Sequence, residues 1–196
     1  MSLDIPDRVR ETLIADGNES WLDELPGVVE SLAQEWSLMI GSSFAGGHVA
    51  LVVEVTLADG TPAVLKVGVP GRDVGQEAMA LRLANGEGCA RLLGEDVSRQ
   101  ALLLERLGAP MYDIVADPVR RHNLLCEAAV RLWRPIGPGI DLPTGAKLAE
   151  QYADRLPRLW EQGGAAVFAG HCGGRAGLHE SSSPCPRRSV RGSGPR

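Results

Sequence analysis

Apolar side chains recur three and four residues apart over residues 6–15 and 19–36, a spacing that predicts two helices. Pro6 and Asn18 stand where helix starts belong. Pro26 falls inside the second stretch. A proline there removes a backbone hydrogen bond and crowds the preceding turn, so an interruption is expected. From Trp36 the period shortens to two, and residues 37–44 and 48–57 read as strands flanking a glycine-containing turn. Asp59-Gly60 then supplies a hairpin turn into a short apolar strand over 63–67, completing an antiparallel meander of three strands. After a Gly/Pro connection a helix is expected from Asp73, with Asp73 and Gln76 as a capping pair and Val74, Ala78 and Leu81 along one face. Two more strands follow near 89–97 and 100–105. Asp117-Pro118 opens a helix to about Trp133, with Asp as cap and Pro in the first turn. A last amphipathic helix is expected over roughly 144–161. The order is three strands, a helix, two strands, then helices, an α+β pattern.

A chain of 196 residues suffices for one core, or for one lobe of a larger two-lobed enzyme. Its 44% hydrophobic and 23% charged residues are those of an ordinary soluble globular protein. No apolar run approaches the ~20 residues of a membrane span, and residues 1–10 lack a signal-peptide profile, so a cytoplasmic protein without membrane contact is expected. Cys89, Cys126, Cys172 and Cys185 form no CxxC pair, which fits a reducing compartment. The net charge of −5 argues against nucleic acid as a partner. Residues 1–162 hold 15 basic and 24 acidic side chains, whereas 163–196 hold five Arg against Glu180 alone. That tail is rich in Gly, Pro and Ser and has almost no apolar periodicity. It cannot bury enough surface to offset its ordering entropy and reads as disordered.

Three features sit at telling places. Gly41, Ser42, Ser43, Phe44, Gly46 and Gly47 fall at the first turn, where backbone N–H groups could form a concavity for a phosphate. A plain glycine hairpin explains them equally well, and no Walker lysine or dinucleotide-type glycine pattern accompanies them. Lys66, one of only two lysines, ends the apolar run Ala63-Val64-Leu65. It is either a solvent-facing strand residue or a buried-face ammonium that needs an anion. Glu77 on the next helix is its natural partner, and such a strand–helix pair fixes a lysine toward the α- and β-phosphates of a nucleotide. Alone, Glu77 would be a solvated helix acid.

The ordered set of a glycine-rich hairpin, Ala63-Val64-Leu65-Lys66, Glu77 and then Leu102-Leu103-Leu104-Glu105-Arg106-Leu107 resembles a kinase amino-terminal lobe. More narrowly, residues 1–162 resemble the aminoglycoside/hydroxyurea antibiotic-resistance kinases, the group that contains the streptomycin phosphotransferases. The stretches ESWLDELPGVVESLAQEWSL, GSSFAGGHVALVVEV and DGTPAVLKVGVP carry that resemblance. It implies a kinase-like lobe over 37–107, made of a five-stranded antiparallel sheet plus a helix. Before it comes a helical extension over 1–36; after it, over 108–162, the first helices of an incomplete second lobe. By the same resemblance the 41–47 loop covers the phosphates of ATP, Lys66 with Glu77 grips them, and Glu105, Arg106 and Leu107 present backbone to adenine. The acceptor would be a hydroxyl of an aminoglycoside or hydroxyurea-type antibiotic, with Mg²⁺ as companion ion.

The chain departs from that family after residue 162. Members carry a His-Gly-Asp…Asn loop and a later metal-binding Asp, the groups that orient the acceptor and hold Mg²⁺. Here histidine occurs only at 48, 122, 171 and 179, none followed by Gly-Asp; the last Asp is Asp154 and the last Asn is Asn123. An Arg-, Gly-, Pro- and Ser-rich run is what a GC-rich gene gives when read out of frame. A truncated, inactive phosphotransferase with an out-of-frame tail over 163–196 is therefore expected. The rivals are a noncatalytic nucleotide-binding or interaction module, and a fragment that associates through the apolar faces of 118–133 and 144–161. His171, Cys172, His179 and Cys185 fit a zinc site poorly, because their spacings of one, seven and six are not those of paired ligands on tight turns.

Overall fold

The computed structural model describes residues 3–15, 17–45, 50–69, 73–133, 135–140, 142–150, 152, 153 and 156. The chain divides into two compact units, Met1–Leu142 and Pro143–Arg196. In the second unit residues 145–150 are helical, entered through Thr144, whose Oγ1 accepts from Lys147 N at 3.2 Å. Most of the remaining helix expected to 161, the 163–196 tail and its four zinc candidates lie outside the described residues.

The first unit opens with α1 (Asp7–Ala15) and α2 (Glu19–Glu35). Val9 and Leu13 are the buried residues of α1; Trp21, Leu25, Val29 and Leu32 are those of α2. Contrary to the expected interruption, α2 runs unbroken through Pro26. A mid-helix proline costs about 3 kcal/mol. Each fully buried large apolar side chain gains about 1.5–3 kcal/mol, so a strip of four outweighs it.

The sheet contains β1 (Met39–Ser43), β2 (Ala50–Thr56), β3 (Pro62–Gly68), β4 (Leu92–Asp96) and β5 (Ala101–Glu105), in the order β1-β2-β3-β5-β4. Every neighbouring pair is antiparallel. The turn into β3 is closed by Asp59, whose Oδ1 accepts from Thr61 N at 2.9 Å, with Gly60 at φ +86° where a side chain would be strained. Period-two alternation sends Leu51, Val53, Val55, Ala63, Leu65, Val67, Ala101 and Leu103 into one core with α1 and α2. The opposite face carries Val52, Glu54, Val64, Lys66, Leu102 and Leu104. Part of it is covered by α3 (Val74–Ala84), whose Val74, Ala78 and Leu81 pack on Leu102 and Leu104. Two leading helices thus occupy one face, and one helix and an open strip share the other.

The β4–β5 turn is tied back to α2 through Arg99. Its guanidinium donates to Asp96 Oδ2 (2.6 Å), Ser31 Oγ (3.1 Å) and Glu35 Oε2 (2.5 Å). The Ser98 hydroxyl, and after it the Arg99 backbone and guanidinium, hold the Asp96 carboxyl down at about 2. A carboxylate depressed in the folded state stabilises it above the ordinary pKa, and that contribution disappears as pH falls through the folded value. Thermal melts between about pH 5 and about pH 2 should therefore show a loss in the wild type that is smaller in Asp96→Asn. Solvent screening limits the difference to about 1 kcal/mol. Identical acid profiles would exclude the tether.

Beyond the sheet lie a four-residue helix, α4 (Met111–Ile114), and α5 (Pro118–Leu132). Asp117 caps α5 as expected, accepting from Val119 N at 3.0 Å. The 85–90 turn lies against it: a Cβ on Gly88 would come within 2.3 Å of the Ala128 carbonyl oxygen, so only glycine fits. No α5 side chain is fully buried, and Val119, Leu125, Val130 and the adjoining Trp133 are exposed.

Candidate functional site

Lys66 lies on the central strand, paired between Val52 and Leu102. Its side chain leaves the sheet on the α3 side, away from the packed core. Asp73 starts α3, its Oδ1 accepting from Gln76 N at 3.1 Å, and Glu77 follows in the first turn. A carboxylate there is favoured by the helix dipole. Lys66 Nζ donates to Glu77 Oε1 at 2.5 Å and Oε2 at 2.7 Å. Their side chains keep 25% and 40% of their exposure. An ammonium has three N–H donors, so the pair orients Lys66 and still leaves donor capacity facing the open strip.

The glycine-rich segment is only partly a turn. Gly41, Ser42 and Ser43 belong to β1, where Gly41 and Ser42 together oppose Glu54, a β-bulge between Ile40 and Ser43. A Cβ on Gly41 would stand 3.1 Å from the Glu54 carbonyl oxygen. Its glycine is thus explained by close strand approach. Ser43 pairs with Val53, on the side of α1, and lines a recess of about 400 Å³ with Asp4, Ile5, Pro6, Asp7, Arg8 and Ala45. Its Oγ is buried there without a hydrogen-bond partner. It is therefore not on the face of Lys66. Phe44 continues from the strand, donating its N–H to Val52 O at 2.8 Å. Gly46 and Gly47 lie outside the described residues.

At the far end of β5, Glu105 is occupied structurally: its N–H donates to Arg91 O at 2.9 Å and its Oε2 accepts from Arg91 N at 3.1 Å. Leu107 is exposed and Arg106 reaches back across the sheet. The Arg106 guanidinium donates to Glu54 Oε1 at 2.7 Å and lies 4.6 Å from the centroid of the Phe44 ring. Glu54 is the site residue that sequence reasoning missed. The available signal was a lone acid in the apolar strand Ala50–Thr56, in phase with Lys66 across the pairing. Among the described residues no group of three or more His, Cys, Asp or Glu side chains is arranged to hold a metal ion. The Lys66 ammonium is a donor for an anion, and the described residues offer no ligand set that fits Mg²⁺. No helix among the described residues is long and apolar enough to cross a membrane.

Residues 35–167 match the family model described as aminoglycoside/hydroxyurea antibiotic resistance kinase. That span begins at the end of α2 and includes all five strands, Lys66 and Glu77. A streptomycin 6-kinase from Streptomyces glaucescens is 40% identical over 91 residues, 46% of this chain and 30% of that protein. A hydroxyurea phosphotransferase from Kitasatospora aureofaciens is 43% identical over 95 residues, 48% of this chain and 28% of that protein. A streptomycin 6-kinase from Streptomyces griseus is 34% identical over 141 residues, 69% of this chain and 46% of that protein. The chain spans less than half the length of each. No solved structure matches it.

Proposed function

The chain belongs to the aminoglycoside/hydroxyurea antibiotic resistance kinase family, and on that premise we propose that residues 37–107 bind ATP as the nucleotide lobe of a small-molecule phosphotransferase. The observation that carries this is the Lys66–Glu77 pair, a strand ammonium held by both oxygens of a helix carboxylate beside an uncovered strip of sheet. In this role Lys66 takes the α- and β-phosphates and Glu77 keeps it aimed at them. The glycine-rich loop covers the phosphates, Phe44 borders the base, and the backbone of Arg106 and Leu107, just beyond Glu105, meets it. ATP, when bound, supplies the phosphoryl group; the acceptor is a hydroxyl of an aminoglycoside or hydroxyurea-type antibiotic. The helices over 108–162 begin a second lobe, and the cytoplasm, where ATP is made, is the site of action.

These 196 residues contain no His-Gly-Asp motif. By themselves they hold nucleotide without transferring it, which is also how a noncatalytic binding module would behave. Calorimetric titration of the purified chain with ATP, followed by an assay for phosphorylated streptomycin, tests both parts. Saturable ATP binding with no phosphorylated product is expected. Product formation would refute the inactivity, and absence of ATP binding would refute the nucleotide role.

A further inference from the structure

Arg106 follows β5 in phase with Leu102 and Leu104, so it emerges on the face that carries Lys66. Its partners are not on neighbouring strands. Glu54 is on β2 and Phe44 follows β1, and the order β1-β2-β3-β5-β4 places β3 between them and Arg106. Strands are ~4.8 Å apart, so the side chain spans roughly two strand spacings to reach Glu54. Crossing β3 takes it from the end of that strand, beyond Ala63, toward the row of Glu54, Val64 and Leu104. The row of Val52, Lys66 and Leu102 is next along the sheet, ~7 Å away on the same face.

A nucleotide with its phosphates on Lys66 and its base toward the β5 connector would lay that base on the Val64 row, beside Glu54. That place is taken. A flat guanidinium already lies over the Phe44 ring, and Glu54 anchors it. We infer that Arg106 is a strap across the base subsite, an internal competitor that nucleotide must displace from Phe44 before its base can stack there. This rests on the nucleotide-binding reading above and adds to it a residue that sets affinity. Two contacts hold the strap, an exposed ion pair and a cation–π contact, both individually weak. The site is therefore held shut by a factor of about three to ten, which a ligand of ordinary affinity can overcome.

Adenosine separates the strap from the phosphate grip, because it is uncharged. The full 196-residue chain, Arg106→Ala, Glu54→Gln and Lys66→Ala are titrated calorimetrically with adenosine and with ATP. Arg106→Ala should tighten adenosine by about three- to tenfold and ATP by the same factor. Glu54→Gln, which frees the strap without truncating it, should act in the same direction, as an independent check should the first variant misfold. Salt gives a third reading: raising it from about 0.05 M to about 0.5 M screens the anchor, so adenosine should tighten in the wild type and not in Arg106→Ala. If Arg106→Ala weakens ATP and leaves adenosine unchanged, Arg106 is a phosphate ligand and the strap is refuted. Unchanged affinity for both ligands refutes it equally. In either case a loss of ATP binding in Lys66→Ala preserves the nucleotide role. Failure of wild type and Arg106→Ala alike to bind ATP or adenosine would sink both.

Discussion

Replacing Lys66 by alanine is expected to weaken ATP binding by about 10- to 100-fold, measured by calorimetric titration. The loss has two parts. The charge-assisted hydrogen bonds to phosphate oxygens disappear, each being stronger than a neutral one. Glu77 then faces the triphosphate without its counter-ion, and like charges repel. The effect must be confined to charged ligands. Lys66 is partly exposed and lies off the core face, so its truncation should leave the fold intact. Adenosine affinity should accordingly stay near the wild-type value. Lys66→Arg should not restore binding fully, because a guanidinium fork is wider than an ammonium and fits Glu77 and a phosphate in different directions. Equal losses for ATP and adenosine would show that Lys66 acts through the fold, and the phosphate assignment would fall.

Leu65→Ala, one residue away on the same strand, is expected to cost stability instead, by about 2–5 kcal/mol in chemical denaturation. Leu65 is fully buried in the core shared by β2, β3, β5 and the two leading helices. Truncation removes its transfer free energy and leaves a cavity that the surrounding strands cannot close. Val64→Ala serves as the contrast. Val64 is on the open face and only partly buried, so its loss should be about 1 kcal/mol or less. Side chains alternate with period two, so a one-residue slip of β3 would reverse the two results. The two denaturation curves thus test the register that places Lys66 on the open face of the sheet.

Much of this layout was legible in the residues, and for a physical reason. Burial on one face of a strand imposes a period of two, and burial on one stripe of a helix imposes spacings of three and four. Both periods survive in 50–56, 62–68 and 74–84, which is why the Lys66–Glu77 pair could be expected. What escaped is what periodicity does not encode. Pro26 announces a break, but the buried strip of α2 overrides it. The bulge in β1 adds one residue to a strand, and composition gives no sign of which residues will face one partner. Glycines at 41–47 allowed a phosphate loop or a plain hairpin alike, and composition could not show that Gly41 packs close on Glu54 or that Ser43 turns toward α1. The contact of Arg106 with Glu54 and Phe44 joins residues 52 and 62 positions apart through the sheet order, which no local pattern predicts. Arg99, which gathers Asp96, Ser31 and Glu35, is invisible for the same reason.

The central position of β3 has a mechanical consequence. Both edges of this strand are hydrogen-bonded, to β2 along residues 62–68 and to β5 along 63–67. A pull on the Lys66 side chain is therefore shared by two ladders at once, whereas an edge strand such as β1 or β4 could yield on its free side. The ammonium stands on the stiffest part of the sheet, with a helix carboxylate as a second support. Its position is set before any anion arrives, and little entropy remains to be lost when one does.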